Sequence, residues 1–319
     1  MKKFYFTLLS ALVATVALQA QQISVVKAGS TTLHGTLTAA IEAAADGSVI
    51  YLPGGGFPIN DTVKINKKLT IIGIGHKVKG DNADGYTTIS GNLFFDSGSD
   101  GSAVMGTYIT GAVYVGNDGN EVDDILVRYC NLSRVEVKNK KCLRTVVNQN
   151  YVRSSSPFNG ASAEFTNNVC HSITDLDNGI IAYNIIQSTP GTYGALHLVD
   201  NTRIIGNVIY NSQYGVTEGG GNNLTSDNMT SGSWGDNAIN VSGTGWADIF
   251  VKNAGITPVG DFHFKSDYLT YSNRCGIYAG TGFSDSALPP VPYIVAKQIP
   301  EQTDASGRLN IKIRVRAGE

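Results

Sequence analysis

The sequence has little charge and little cysteine, and each shortage argues against a class of protein. Only 16% of the 319 residues are charged, and 24 basic residues nearly balance 26 acidic ones. A nucleic-acid-binding protein normally carries a concentrated positive field, so this balance argues against nucleic acid as a partner. The four cysteines include no CxxC pair, which argues against a metal or redox centre built on thiolates. Their spacing does not choose among the disulfide pairings that four cysteines allow, so buried free thiols are the simpler interpretation.

Long apolar runs are also missing, except at the N-terminus. Residues 1–20 read MKKFYFTLLSALVATVALQA, with two lysines, an apolar run and a small residue, Ala20, at the end. This is the pattern of a secretory signal peptide, and the run is short for a membrane span, which needs about 20 apolar residues. No later segment is apolar enough to cross a bilayer. The sequence therefore predicts export to the periplasm, the cell surface or the medium, with no transmembrane segment after signal cleavage.

What the sequence does have is glycine and a repeated asparagine. The 37 glycines, with abundant Asn, Ser and Thr, disfavour long helices and favour turns, which indicates an all-β protein. An asparagine followed by one or two aliphatic residues recurs at intervals of 16 to 23 residues. The recurrent positions are Asn131, Asn150, Asn168, Asn184, Asn207 and Asn228.

This interval is too short for a propeller blade and matches one turn of a β-solenoid, in which each turn must stack on its neighbours to bury an apolar face. Asparagine tolerates the left-handed backbone of a tight corner, and its amide both donates and accepts hydrogen bonds. We therefore expect the six asparagines to form a hydrogen-bonded ladder along a stack of about ten coils.

Two segments resemble a known family. The stretch LTAAIEAAADGSVIYLPGGGFPINDTVKINKKLTIIGIG resembles the entry to the right-handed parallel β-helix of the pectin-lyase-like superfamily, a short amphipathic helix followed by the first coils. The stretch NRCGIYAGTGFSDSALPPVP resembles the terminating segment of exported Bacteroidetes β-helix proteins. The resemblance implies a single-stranded right-handed parallel β-helix forming a single domain.

The expected organisation has four parts. Residues 1–20 are the signal peptide, 21–48 an N-terminal strand and capping helix, 49–288 the parallel β-helix, and 289–319 a C-terminal tail. In the tail, RLNIKIRVRAGE alternates apolar and polar residues, which predicts one amphipathic capping strand. The apolar face of the capping helix is formed by Leu37, Ala40, Ile41 and Ala44.

The resemblance does not extend to known catalytic motifs. The Arg-x-Pro-x-x-Arg stretch of pectate-lyase-like enzymes has no match, and the polygalacturonase set of Asn-Thr-Asp, Gly-Asp-Asp, Gly-His-Gly and Arg-Ile-Lys is absent. VDDIL contains the acid pair Asp123 and Asp124 without the preceding glycine, and NTRIIGN lacks both the Asp and the Lys. No catalytic residue is therefore carried over from the family.

The repeat nevertheless predicts a polar stripe. If alternate residues face outward, the third residue after each marked asparagine points to solvent. Such a stripe could hold a chain of acidic sugars, with arginine pairing to carboxylates or sulfates. The alternative is an ordinary solvated β-face. The stripe residues are Arg134, Arg153, His171, Gln187, Tyr210 and Ser231.

Acidic and aromatic residues recur six to eleven residues past the asparagines. Similar offsets would place them on one side of the rod, where rings could stack on sugars and the acids could act on a glycosidic bond. The alternative is loop decoration. The catalytic candidates are Asp175, Asp177, Glu218 and Asp236. The aromatic binding candidates are Tyr193, Tyr214 and Trp234.

Two acidic stretches raise the question of calcium. DSGSDGS contains Asp96 and Asp100, like the opening of a calcium loop, but Thr107 stands where a bidentate Glu is needed. NDGNEVDD adds Asp118 and Glu121. Turn chemistry explains both stretches, so no cofactor is assigned and calcium stays an open alternative.

The sequence thus predicts an exported β-helix that binds a polysaccharide, an acidic glycan in the first instance, as a surface or adhesin-like module. A polysaccharide lyase or glycoside hydrolase with non-standard active-site residues is the alternative. A rod without any ligand is a third possibility.

Overall fold

A computed structural model of the chain describes residues 22–77, 85–188, 194–210, 217–218, 220–232, 234–285, 288–298, 300, 302–304 and 306–316. For residues 217, 218, 293, 295 and 297 only the backbone is described. The predicted signal peptide and the predicted site residues Tyr193 and Tyr214 lie outside the described residues.

The regular secondary structure of the described chain is almost all β-strand, which confirms the all-β prediction. The first strands are β1 (Ile23–Lys27), β2 (Ser30–His34), β3 (Ser48–Tyr51), β4 (Gly55–Ile65), β5 (Leu69–Ile72), β6 (Thr87–Phe95), β7 (Ala103–Met105), β8 (Tyr108–Ile109), β9 (Val113–Val115), β10 (Leu126–Arg128), β11 (Asn131–Leu132) and β12 (Val135–Val137).

The central strands are β13 (Thr145–Asn148), β14 (Tyr151–Val152), β15 (Ser156–Ala161), β16 (Ala163–Thr166), β17 (Val169–Cys170), β18 (Ile173–Leu176), β19 (Ile180–Ala182), β20 (Ile185–Gln187), β21 (Leu196–His197), β22 (Arg203–Ile205), β23 (Val208–Tyr210), β24 (Thr217–Glu218), β25 (Leu224–Ser226), β26 (Met229–Thr230) and β27 (Ile239–Asn240). The last strands are β28 (Phe250–Lys252), β29 (Asp261–Phe264), β30 (Tyr293–Gln298) and β31 (Lys312–Arg316). The helices are α1 (Leu37–Ala43), α2 (Trp246–Ile249) and the 3-10 helix η1 (Ser266–Tyr271).

Three mainly parallel sheets run through the molecule. The first has the order β2-β1-β3-β5-β7-β10-β13-β16-β19-β22-β25, and the second has β12-β9-β6-β8-β11-β14-β17-β20-β23-β26-β27, with β4 beside β6. The third is β15-β18-β21-β24. Consecutive strands enter different sheets, so that β13, β14 and β15 lie in the first, second and third sheet before β16 returns to the first. We call one such repeat a rung, and this connectivity is compatible with a parallel β-helix.

Alternate residues of the strands form the interior. In the first sheet Val127, Val147 and Phe165 are paired on consecutive strands and fully buried. Val152 and Cys170 do the same in the second sheet. Burial of each such apolar side chain contributes roughly 1.5–3 kcal/mol relative to exposure. These vertical columns therefore supply much of the force that holds the rungs together.

A column of buried asparagines closes the corner between the first and second sheets. The backbone N–H groups of Asn150, Asn168, Asn184 and Asn207 each donate to the Oδ1 atom of the next asparagine, ending at Asn228, at 2.8 or 2.9 Å. Their Nδ2 groups donate to the same oxygens at 2.9 to 3.1 Å and also to main-chain carbonyls. Buried polar groups are costly unless paired, so this asparagine ladder makes a buried polar corner stable.

Asn131 is not part of the ladder, contrary to the prediction from its sequence context. The residue at the equivalent level is Cys130, whose N–H donates to Asn150 Oδ1 at 2.8 Å. Strand pairing sets Asn131 beside Tyr151, one position past the corner. The left-handed residue of this rung is Tyr129, with φ of 55°. The corner therefore falls one residue earlier than the asparagine.

The left-handed backbone angles are also not at the predicted positions. They occur at the residue before each ladder asparagine and not at the asparagine itself. Positive φ angles of 53° to 64° occur there. The residues are Gln149, Asn167, Tyr183, Gly206 and Asp227. The asparagine supplies the amide and the preceding residue supplies the turn.

The N-terminal helix packs on the first strands. Thr36 Oγ1 caps α1 by accepting from the Ala39 N–H at 3.2 Å. Leu37, Ala40 and Ile41 are buried against β1 and β4. The capping interaction and the apolar face together fix where this short helix begins and which side faces the core.

After β27 the chain stops adding rungs and folds over the second sheet. The sequence predicts coils as far as residue 288, but the last parallel strand ends at Asn240. Tyr151, Val169, Ile185 and Val208 form an outward column of the second sheet, and residues beyond 245 bury it. The covering aromatic residues are Trp246, Phe250, Phe262 and Phe264. We call this covering segment the C-terminal layer.

The chain then runs back along the asparagine ladder. The Gly276 N–H donates to the Gly206 carbonyl at 2.9 Å, and the Ser284 N–H donates to Gln149 Oε1 at 2.8 Å. These contacts lie on different rungs, so the segment follows the long direction of the stack. We call the described part of residues 274–292 the C-terminal strap.

The tail forms a hairpin instead of a single capping strand. β31 pairs with β30 in an antiparallel sheet of two strands. Ile313 and Val315 are 54% and 57% exposed. The predicted alternation is present, but its apolar side faces solvent.

All four cysteines are buried and none is bonded to another. Burial raises the pKa of Cys130 to about 11, and hydrogen bonds to the sulfur only partly oppose this. Such thiols are protonated at neutral pH and chemically inert.

Candidate functional site

Five of the six predicted stripe residues share one column on the outer side of the second sheet. Register pairs Val152 with Cys170, Cys170 with Ile186, and Gln187 with Tyr210, which sets the following side chains next to one another. We call this column the rim column, because it borders the C-terminal layer. Its members are Arg153, His171, Gln187, Tyr210 and Ser231.

Arg153 is held by the protein itself. Its Nη1 donates to Asn131 Oδ1 at 2.5 Å, and its Nη2 donates to the carbonyls of Ile109 and Thr110 at 3.2 and 3.1 Å. The guanidinium carbon also lies 4.9 Å from the centroid of the Tyr108 ring. Burial lowers the pKa of Arg153, although the group stays charged. Most of its hydrogen-bonding capacity is therefore already used.

Three other residues of the rim column, His171, Gln187 and Tyr210, also contact neighbouring side chains. His171 Nδ1 lies 3.0 Å from Ser172 Oγ, and burial lowers the pKa of this histidine, which favours its neutral form. Gln187 Nε2 lies 3.4 Å from the Oδ1 atom of Asn253. The Tyr210 ring packs edge-on against Trp246, with the centroids 5.0 Å apart. The column therefore lies against the C-terminal layer.

Arg134 lies elsewhere, which corrects its placement in the stripe. Because the corner comes one residue early in its rung, Arg134 falls just before β12 and beside an outward aromatic column. Lys64, Phe94, Tyr114 and Glu136 are paired in register on β4, β6, β9 and β12. The rings of Phe94 and Tyr114 are partly exposed and meet edge to face, with centroids 6.5 Å apart.

Three cations surround these two rings. Lys138 Nζ lies 4.3 Å from the centroid of Tyr114, and the guanidinium carbon of Arg134 lies 5.7 Å from it. Lys64 Nζ lies 6.0 Å from the centroid of Phe94. These distances are typical of cation–π contacts. We call the two rings and three cations the aromatic–basic platform.

Two carboxylates partly neutralise the platform. Glu136 Oε2 accepts from Arg134 Nε at 2.9 Å, and its Oε1 lies 4.0 Å from Lys138 Nζ. Asp96 forms an ion pair with Lys64. Three cations against two anions leave a local excess of one positive charge, although the whole chain has a formal net charge of -2.

The predicted catalytic acids lie on two different sheets. Asp175 is in β18 and Asp177 follows it, where Asp177 Oδ1 accepts from Asn201 Nδ2 at 2.9 Å. Asp236 instead bridges to Ser226, at the end of the first sheet. The backbone of Glu218 lies in β24. Trp234 is partly buried and packs against the interior.

The calcium candidates already have protein partners or stand apart. Asp96 Oδ1 accepts from the Nδ2 atoms of Asn117 and Asn120 at 2.8 and 3.0 Å. Burial alone would raise the pKa of Asp96, but hydrogen bonds, first from Lys64, hold it below its usual value. Asp96 is therefore an ionised structural carboxylate.

The remaining acids of this group lie at the surface. Asp100 Oδ1 accepts from the Asp123 N–H at 2.8 Å, and Glu121 pairs with Lys141 at 3.0 Å. Asp118 is exposed. In the described part of the chain, no three His, Cys, Asp or Glu side chains are grouped so as to hold a metal ion.

Sequence reasoning missed most of the platform because it followed the asparagine spacing. Lys64, Phe94 and Tyr114 all precede the first marked asparagine, and Lys138, seven residues past it, is neither acidic nor aromatic. The signal that could have found them is strand alternation. In β6 and β9, each outward ring stands between two fully buried residues.

Comparisons with family models, curated proteins and solved structures found no match in any of the three. The fold and the surface therefore define a general class, an all-β protein of long parallel sheets with an aromatic and basic outer face. No helix among the described residues is long and apolar enough to span a bilayer.

Proposed function

We propose that this chain is an exported right-handed parallel β-helix, similar to the pectin-lyase-like superfamily, that binds an acidic polysaccharide through the aromatic–basic platform. The three-sheet rung and the asparagine ladder support the fold. The signal-peptide pattern at residues 1–20 supports export. The protein acts as a binding module, and the sugar chain lies across neighbouring rungs.

The observation that carries this proposal is the position of Phe94 and Tyr114 on adjacent rungs, both outward and partly exposed. Parallel strands are about 4.8 Å apart, so the two rings lie next to each other along the stack. The C–H faces of pyranose rings are apolar, and aromatic side chains offer a large contact area at low entropic cost. A sugar chain running along the stack would meet one ring and then the next.

The cations around the rings explain why the glycan should be acidic. Lys138 and Lys64 are point charges on flexible stems, whereas Arg134 has a planar fork that matches a carboxylate or a sulfate. Glu136 accepts from Nε and Nη2 of Arg134, which leaves Nη1 available to a ligand. Because these charges flank the rings, stacking and ion pairing would act on the same sugar units.

The rim column supports this function less well. Arg153 donates three hydrogen bonds to protein oxygens, and Tyr210 packs against Trp246. A glycan would have to compete with these contacts, whereas Phe94 and Tyr114 are partly exposed on the outer face.

Affinity electrophoresis in gels containing polygalacturonate tests the proposal. The wild-type chain should be retarded, and the double variant Phe94→Ala/Tyr114→Ala should be retarded far less. Tyr210→Ala is the matched control, because it removes an exposed tyrosine of the second sheet outside the platform, and it should keep the retardation. The proposal fails if Tyr210→Ala abolishes binding while the double variant binds normally.

A product assay on the same polymer separates binding from catalysis. A lyase would produce unsaturated ends that absorb in the ultraviolet, and a hydrolase would release reducing ends. We expect neither product from the wild-type protein. Either product, lost in a variant of Asp175 or Asp177, would identify an enzyme instead.

A further inference from the structure

A groove of about 460 Å³ lies on the outer face of the first sheet. Its floor is formed by β10, β13, β16 and β19, and Gly280 and Thr281 of the C-terminal strap form one side. This face belongs to a different sheet from the aromatic–basic platform, so nothing argued below depends on the platform. The side chains that matter are Arg128, Asn148, Glu164, Leu126, Val146 and Ile180.

Arg128 forms no salt bridge among the described residues. Its Nε is shielded from solvent and has no hydrogen-bond partner among the described residues. Its guanidinium carbon lies 4.6 Å from the centroid of the Tyr129 ring. The acid in the groove, Glu164, is two strands away, with β13 between them. Arg128 is partly exposed and lines the groove, so its guanidinium can form a charge-assisted hydrogen bond to an anion bound there.

The rest of the floor combines acceptors with aliphatic surface. Asn148 Nδ2 donates to Thr166 Oγ1 at 2.9 Å, which leaves the side-chain oxygen Oδ1 of Asn148 as an acceptor. The Glu164 carboxylate is exposed and forms no salt bridge within the described residues. Leu126, Val146 and Ile180 lie in the same outward row as Glu164. The groove thus offers one cation, two acceptor groups and an apolar strip.

The wall of the groove is preformed. Thr281 Oγ1 lies 2.9 Å from Asn167 Oδ1, and Asn167 Nδ2 donates to the Ala279 carbonyl at 2.8 Å. The strap is therefore fastened to the corner at the level where it borders the groove. A wall that is already ordered lowers the entropic cost of binding.

We propose that this groove is a second binding site, specific for a short carboxylated sugar. The carboxylate would pair with Arg128, the hydroxyl groups would donate to Glu164 and Asn148, and the C–H face would lie on the aliphatic row. A ligand of this class satisfies all three features, since it carries an anion, several donors and an apolar face. The volume suits a small ligand of one to a few rings.

Calorimetric titration with trigalacturonate tests the site, in a full-length chain that carries Tyr114→Ala so that the platform contributes little. We expect saturable binding that Arg128→Gln weakens by about tenfold or more, since a hydrogen bond to a charged group is typically worth that much. Arg314→Gln is the control, an exposed arginine of β31 in the tail hairpin and outside the groove, and it should change affinity less than about twofold.

Two further titrations test which class of ligand the groove binds. Maltotriose, which has no carboxylate, should not bind measurably. Glu164→Gln should bind trigalacturonate as well as the parent or better, because an amide still accepts a hydroxyl and no longer repels the carboxylate. The inference is overturned by equal binding to the Arg128→Gln chain, by absence of saturable binding, or by a clear loss of affinity in Glu164→Gln. Failure of the platform would leave all three results unchanged.

Discussion

At the scale of the residue, each level of the asparagine ladder uses two residues for two tasks. The sequence predicts that one asparagine performs both. The residue before the asparagine takes the left-handed backbone, and the asparagine itself is buried and supplies an amide that joins one rung to the next. This division explains why residues as different as Gln149, Tyr183 and Gly206 precede the ladder positions. The identity of the turn residue matters less than the hydrogen bonds that follow it.

The first prediction concerns the ladder. Asn184→Ala should destabilise the protein by roughly 3 kcal/mol or more, because it removes the acceptor of the buried Asn168 N–H and the hydrogen bond that Asn184 Nδ2 donates to the Phe165 carbonyl. Asn131→Ala should cost about 1 kcal/mol, because the partly exposed Arg153 can turn to water. Urea unfolding of the two variants gives the comparison. Equal losses would mean that ladder membership does not matter.

The second prediction concerns His76, which is buried beside the Tyr151 ring at 5.5 Å. Burial, and then the charge of Lys77, lower the pKa of His76 to about 3. The unfolded chain takes up a proton near pH 6.5 and the folded chain does not, so stability falls as the pH drops below that value and stops falling near pH 3. The loss from this group amounts to about 2 kcal/mol between pH 7 and pH 5.

His76→Phe should remove that part of the pH dependence while keeping a ring in the pocket. Urea unfolding at pH 7 and pH 5 measures the difference for each chain. His34→Phe serves as the control, because His34 is a partly exposed histidine of the N-terminal hairpin and should leave the wild-type slope in place. A wild-type slope in His76→Phe would show that another group titrates.

At the scale of the element, the C-terminal strap joins several rungs that otherwise touch only their neighbours. Gly280 lies on Tyr183 with φ of 62°, and a Cβ atom there would come within 2.5 Å of the Tyr183 ring. Gly282 has a similar φ of 77°, but its Cβ would meet nothing closer than 3.8 Å. A substitution at Gly282 therefore tests backbone strain alone, whereas the same substitution at Gly280 adds a steric clash with the Tyr183 ring.

The third prediction uses this pair. Gly282→Ala should cost about 1 kcal/mol from the left-handed backbone alone. Gly280→Ala should cost more and should loosen the strap, because the rigid Tyr183 ring cannot move without disturbing the corner. Hydrogen exchange of the strap amides measures the loosening. Similar exchange in both variants would argue that the strap is not held at Tyr183.

At the scale of the whole molecule, charge is unevenly spread. The chain is formally -2, but the platform gathers three cations around two rings. Long-range attraction of a polyanion should therefore be weak, and local contacts should dominate binding.

The fourth prediction follows from that balance. Affinity for polygalacturonate should fall as salt rises from about 50 to about 500 mM, because ion pairs are screened. It should not vanish, because stacking on the rings is insensitive to salt. Titration calorimetry across this range tests it. Complete loss at high salt would assign binding to charge alone.

The sequence predicted the all-β class and the length of the repeat, because both depend on local composition and spacing. It placed Asn150 and its four successors at one corner for the same reason. It misplaced Asn131 and Arg134 together, because a shift of one residue in a strand exchanges the inward and outward faces. It also missed Tyr114, whose meaning depends on Phe94 twenty residues away in the chain.

By itself, then, the sequence determined that the chain repeats, that the repeat is extended, and that its corners are amide-rich. These properties follow from which backbone angles and hydrogen bonds each residue type allows. Only the tertiary structure decided which side chains become neighbours between rungs, where the strap borders the groove, and which rings stay partly exposed. Those outcomes depend on register and on the C-terminal layer folding back, and neither is encoded in any single stretch.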